Sequence, residues 1–260
     1  EKKKNRSKRR RRCKKMKKSR LAKILTLSLA AVMVFSLASC GGSSSDTGDK
    51  DITVISREEG SGTRDAFTEL TGVLKDDVDR TVDTAEISNS TSVVTQSVAG
   101  NDAAIGYISL GSLDDSVKAV KVDGTEASVD TVKSGDYKLQ RPFNIVTKGE
   151  VAELPQDFIN FIMSKDGQKI IEEEGHIAAN ENAGDYKASG LTGTITLAGS
   201  TSVSPVMEVL ADKYKELNSG VTIEIQQTGS GAGIQSTIEG VCDIGMASRE
   251  LKDEELEAGL

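Results

Sequence analysis

The chain has no tryptophan, one histidine (His176), three prolines and three cysteines in 260 residues. Cys13, Cys40 and Cys242 are far apart, so neither a disulfide scaffold nor a clustered metal centre is expected. Three prolines exclude a collagen-like or proline-rich linker protein. The composition, 37% apolar and 28% charged, lacks the repeated apolar runs of about 20 residues that a multi-span membrane protein needs. The length suffices for one large domain or two lobes with a buried core.

Charge is strongly uneven. The first forty residues hold fifteen Lys/Arg against one Glu, a balance of +14, which leaves −21 on residues 41–260 of a chain whose net charge is −7. So acidic a body repels nucleic acid and anionic lipid at long range. Small molecules or proteins are the expected partners, with no nucleic acid.

Residues 1–15 carry eleven Lys/Arg and no apolar run. A nucleic-acid-binding tail is one reading of such a block. The other is sequence upstream of the true start, because Met16 opens a well-formed export signal. Lys17, Lys18, Arg20 and Lys23 make its basic region and residues 24–37 its apolar stretch. It ends Leu37-Ala38-Ser39-Cys40-Gly41, which resembles a bacterial lipoprotein signal whose cysteine becomes lipidated. Gly41-Gly42-Ser43-Ser44-Ser45 then reads as a flexible tether. The resemblance implies a protein outside the cytoplasmic membrane, held at its outer face by acyl chains on Cys40 alone; the alternative is an uncleaved signal anchor. Residues 1–40 are therefore read as address and 41–50 as tether.

Three segments share one layout of apolar strand, Gly/Ser/Thr-rich loop and amphipathic helix. The first runs from 52–55 through 56–63 to a helix with Phe67, Leu70 and Leu74 on one face. The second runs from 194–197 through Ala198-Gly199-Ser200-Thr201-Ser202 to a helix burying Val206, Leu210, Tyr214 and Leu217, at a 3.6-residue period. The third runs from 221–225 through Thr228-Gly229-Ser230-Gly231-Ala232-Gly233 to a short helix through Ile238. Further strands are expected at 104–109 and 142–147, one helix over 155–174, and a linker at 181–191. Alternating strands and helices with short connections predict an α/β fold with open sheets.

A helix N-terminus presents unpaired N–H groups and about half a positive charge. Glycine admits a ligand close to the backbone, and Ser/Thr hydroxyls add donors, so such a loop suits an anion. Capping boxes and tight turns use the same residues. Three loops together, with Arg57 beside Gly60-Ser61-Gly62-Thr63, favour the anion reading, since a guanidinium matches two oxygens of a tetrahedral oxyanion. On an acidic body, capture must depend on short-range hydrogen bonds.

The segments Ile55-Ser56-Arg57-Glu58-Glu59-Gly60-Ser61-Gly62-Thr63-Arg64 and Ala198-Gly199-Ser200-Thr201-Ser202-Val203-Ser204-Pro205 resemble the phosphate-binding proteins of high-affinity phosphate ABC importers. Gln227 to Gly233, Asp243 to Arg249 and Ala104-Ile105-Gly106-Tyr107 add to the likeness, which covers residues 51–260. It implies a periplasmic-binding-protein-like (type II) two-lobed α/β fold closing on one inorganic phosphate, acting as a monomer and delivering to ABC importer permease subunits. It implies no enzyme activity, catalytic residue, metal or cofactor. By the same resemblance, Arg57 is the phosphate-binding arginine and Glu59 the acid that pairs with it. Ser61, Gly62 and Thr63 donate from one lobe, and Thr201, Ser202 and Ser230 from the other.

Two features depart from the family pattern. Arg249 stands where many members carry an aspartate that accepts the proton of bound phosphate, and an arginine cannot accept one. Arg249 is expected either to touch phosphate directly, and so join the ligand set, or to face outward in a salt bridge. The segment order is also circularly permuted: the Ser-Arg…Gly-Ser-Gly-Thr half leads and 181–191 joins the usual ends. Residues 51–141 then form lobe 2 and 142–260 an incomplete lobe 1, with the chain stopping at Leu260 inside an acidic helix-like stretch.

The rivals are fewer in supporting residues. A serine hydrolase using Ser61 or Ser230 needs an adjacent base, and His176 after a helix-ending glycine is expected at the surface or as a cap. Gly229-Ser230-Gly231-Ala232-Gly233 is not the G-x-G-x-x-G of a dinucleotide site. The same fold binding sulfate or molybdate is a nearer alternative, kept open by Arg249. A signalling or adhesive role could coexist with binding.

Overall fold

The computed structural model describes residues 51–260. The basic extension, the export signal with Cys40 and the tether at 41–50 lie outside the described residues.

The chain enters as β1 (Thr53–Arg57) and α1 (Gly62–Thr71), followed by a small hairpin of β2 (Leu74–Lys75) and β3 (Val78–Asp79). Next come β4 (Glu86–Ser88), α2 (Thr91–Ala99) and β5 (Ala104–Ile105). A long stretch holds the short α3 (Val129–Lys133) before β6 (Asn144–Val146), α4 (Glu153–Ile162) and α5 (Lys165–Glu173). Last are β7 (Gly193–Gly199), α6 (Ser204–Leu217), β8 (Val221–Gln227), α7 (Ser230–Ile238), β9 (Ile244–Ala247) and α8 (Asp253–Glu257).

Two open sheets organise these elements. In the smaller, β1 lies between β4 and β5 and runs parallel to both, with Arg57 opposite Ser88. In the larger, of order β6-β9-β7-β8, β7 is parallel to β8 and β9, while β6 is antiparallel to β9. Parallel pairing needs crossovers, and the intervening helices supply them.

The main core lies on the larger sheet. Ile195, Leu197, Ile244 and Met246 from the strands pack with Phe158 and Phe161 of α4 and Leu210 and Tyr214 of α6, all fully buried. Each such side chain is worth about 1.5–3 kcal/mol of burial. The expected helix at 155–174 is two helices. Ser164 ends the first by donating to the Phe161 carbonyl (2.6 Å) and caps the second by accepting from Gly167 N (3.3 Å). Gly167 lies so close to the Phe161 and Ile162 carbonyls that a side chain there would collide with them. The strand expected at 104–109 shrinks to Ala104–Ile105.

The segment 181–191 is docked rather than loose. Tyr186 Oη (2.6 Å) and Ser189 Oγ (2.8 Å) donate to Asp157 Oδ2, as does Tyr214 Oη from α6 (2.7 Å). Lys165 N donates to the Gly184 carbonyl at 2.8 Å. Among the described residues no helix is long and apolar enough to cross a membrane.

Candidate functional site

The side chains singled out in the loops meet at the carboxyl ends of the parallel strands, where open α/β sheets bind ligands. Arg57 ends β1; Ser88 ends β4, just ahead of Thr91; Ser200, Thr201 and Ser202 follow β7; Ser230 follows β8; Ser248 follows β9. Helices α1, α2, α6 and α7 each begin in these turns, so their first-turn N–H groups and positive dipole ends lie there too.

Arg57 is the best-held group of the set and is 1% exposed. Its Nε donates to the Ser88 carbonyl (3.1 Å), Nη1 to Thr91 Oγ1 (3.1 Å) and Nη2 to Thr201 Oγ1 (3.0 Å). Thr201 belongs to the larger sheet, so the guanidinium spans both halves. Its main chain is fixed as well. Arg57 N donates to Tyr107 Oη (3.0 Å), which also bonds Ser56 Oγ (2.7 Å) and whose ring stacks on Phe67 at 4.2 Å. Arg64 Nη1 donates to the Arg57 carbonyl at 2.7 Å while its other edge pairs with Asp79.

The carboxylate on Arg57 is Glu58, which corrects the expectation of Glu59. Glu58 Oε2 accepts from Nε at 2.9 Å and Oε1 from Nη2 at 3.0 Å, whereas Glu59 is exposed. Arg57 and Glu58 are adjacent and leave β1 on the same side of the turn, a bend that residue spacing does not reveal.

Hydroxyls then run from one half to the other. Thr91 Oγ1 bonds Thr201 Oγ1 (3.1 Å) and Ser202 Oγ (2.9 Å). Thr63 Oγ1 bonds Ser202 Oγ (2.8 Å) and Ser248 Oγ (3.3 Å). Ser248 Oγ also accepts from Ser200 Oγ at 3.0 Å, and Ser248 N donates to Ser230 Oγ at 3.1 Å. Ser61 caps α1, its Oγ accepting from Arg64 N. Gly62 is a close-approach glycine: a Cβ would run into Ser230 and Ser248 Oγ. Gly231 N donates to the Gly60 carbonyl at 2.9 Å, a further tie between the halves.

Arg57, Ser61, Gly62, Thr63, Thr201, Ser202 and Ser230 are thus brought together. Arg249 is not part of the hydroxyl cluster, which corrects its place among the direct donors. Its guanidinium forms a two-pronged pair with Glu255 (2.8 and 2.7 Å), and Nε lies 3.0 Å from Asp65 Oδ2. Arg249 holds the Glu255 carboxyl below its ordinary value. Burial raises the Asp65 carboxyl above its own, opposed by the Arg249 charge. Thr91 and Ser248 were missed in sequence. Ser90-Thr91-Ser92 before a helix carried the same signal as the other loops, and Ser248 sat within a recognised segment.

His176 packs against Gly111 and Phe143, and burial lowers its pKa. It is half-buried rather than at the surface, and it does serve the helix end: beyond Gly175, at φ 77°, its N–H donates to the Ile171 carbonyl at 3.0 Å. The glycines at 229–233 serve packing: Gly229 turns the chain at φ 88° and Gly233 abuts Gly199 and Ala198.

Comparison with known proteins agrees with this architecture. A family model described as "PBP superfamily domain" matches residues 11–166 and 183–260. "Phosphate-binding protein PstS 2" of Streptococcus pneumoniae is 50% identical over 240 residues, 90% of this chain and 82% of that protein. The protein of the same name from Streptococcus agalactiae is 47% identical over 251 residues, 94% of this chain and 85% of that one. A crystal structure of a phosphate ABC transporter phosphate-binding protein from Streptococcus pneumoniae has a TM-score of 0.65 at 52% identity, covering 80% of this chain and 83% of that chain.

Proposed function

The chain belongs to the PBP superfamily, among relatives named as phosphate-binding proteins, and from that premise we propose that it captures inorganic phosphate outside the cytoplasmic membrane and delivers it to an ABC importer permease. The observation that carries the reading is Arg57, buried and bonded to Thr91 in its own half and to Thr201 in the other. A tetrahedral oxyanion received there meets a guanidinium, the hydroxyls of Thr63, Thr91, Thr201, Ser202 and Ser248, and the dipole ends of four helices.

Residues 51–141 act as one lobe and 142–260 as the other, with hinge closure bringing Thr201 and Ser202 onto Arg57 and Thr91. The protein performs no chemistry on its ligand, works as a monomer and is anchored through lipidated Cys40.

Calorimetric titration with phosphate and then sulfate tests the reading. Phosphate should bind tightly and excess sulfate should not displace it. Arg57→Ala removes charge-assisted bonds worth roughly 1.5–3 kcal/mol each and should abolish measurable binding. A folded protein that binds no oxyanion, or an Arg57→Ala variant that binds like the parent, overturns the assignment.

A further inference from the structure

Arg249 is 5% exposed, yet makes no bond to the hydroxyl cluster that begins one residue earlier at Ser248. Its place is rigidly set. Asn144 Nδ2 donates to its carbonyl at 2.9 Å, and Glu255, which takes two of its nitrogens, accepts from Lys252 N at 2.8 Å. From this fixed mount the guanidinium reaches across to Asp65, in the first turn of α1. Two residues before Asp65 stands Thr63, whose hydroxyl bonds Ser202 and Ser248 of the opposite half. The Arg249–Asp65 pair therefore closes the same gap as the hydroxyls, one step behind them.

We propose that Arg249 is a positioning residue that latches the two halves of the anion site together through Asp65, and that this latch sets how long a bound phosphate is retained. The inference rests on the phosphate reading for its ligand. The chemistry suits a reversible catch rather than a permanent staple. Burial of Asp65 opposes its ionisation while Arg249 favours it, so desolvation offsets much of the attraction. The Arg249 Nε–H also points off the line to Asp65, leaving a charge contact without an aligned hydrogen bond. Glu69 and Lys252 are the other charges acting on Asp65, and Glu255 completes the cluster as a second acid on Arg249.

Asp65→Asn gives the cleanest test, because it is nearly isosteric and leaves the Arg249–Glu255 pair intact. It also removes a negative charge near the anion site, so electrostatics without a latch predicts tighter phosphate binding. The latch predicts the reverse: in stopped-flow measurements on the full chain, phosphate dissociation should speed up roughly ten-fold with association little changed. Asp65→Glu, which restores the charge, should recover part of the slow dissociation. Small-angle scattering of the phosphate-free proteins should show Asp65→Asn more extended than the parent. If the variant releases phosphate no faster than the parent, or binds it more tightly, the latch is overturned. If the parent binds no phosphate, the functional reading falls separately, and the scattering comparison decides the latch: a more extended variant supports it and identical curves overturn it.

Discussion

Arg57 has five N–H donors, and Glu58, Ser88, Thr91 and Thr201 engage all three of its nitrogens. Glu58 holds the Nε and Nη2 edge, the planar pair best suited to two oxygens of an oxyanion. Any anion taking that edge competes with a carboxylate of like charge. Glu58→Gln should therefore tighten phosphate binding by about 1–2 kcal/mol, a factor of about 5–30, while lowering the melting temperature of the phosphate-free protein. Glu59→Gln, on an exposed side chain, should change neither. Paired titrations and melting curves of the two variants separate the assignments. Equal effects would mean that Glu58 is not the partner that matters. The arginine and most of the hydroxyls were legible in sequence because Gly/Ser/Thr loops before amphipathic helices advertise donors. The acid was not, since choosing between neighbours depends on the turn after β1.

Among the elements, β7 and α6 were readable because a seven-residue strand and a fourteen-residue helix carry enough period to average over exceptions. Short or compositionally ambiguous elements were not. α2, Thr91–Ala99, contains Thr91, Val93, Val94, Thr95 and Val98, β-branched residues that favour strand locally, and is helical because Val94 is buried beside the smaller sheet. β9 offers four residues, all buried, with no alternation to read. The break between α4 and α5 rests on one hydroxyl. Ser164→Ala removes the bond to Gly167 N and the donation to the Phe161 carbonyl. The expected cost is about 0.5–2 kcal/mol of stability, seen as a lower denaturant midpoint with an unchanged slope. Since Ser164 lies outside the cluster around Arg57, phosphate affinity should stay within two-fold. An unchanged midpoint would show that the Phe161–Gly167 packing alone sets the break.

At the scale of the whole molecule, the two sheets and the loops at their strand ends follow from the order of elements, but which hydroxyls meet across the gap does not. The Thr63–Ser202 and Thr91–Thr201 bonds join residues more than 100 apart in sequence. Net charge is readable from sequence alone. The −21 on residues 41–260 acts on an approaching phosphate before any hydrogen bond can form. Long-range repulsion is screened within about 10 Å at 0.1 M ionic strength, whereas the short bonds around buried Arg57 are screened far less. Adding sodium chloride from low to physiological concentration should therefore raise the phosphate association rate and leave dissociation nearly unchanged. This is opposite to the salt dependence of a site that attracts its ligand from a distance. Stopped-flow rates across that range check it. An association rate that falls with salt would mean that the local field of Arg57 and the helix ends outweighs the acidic body even at long range.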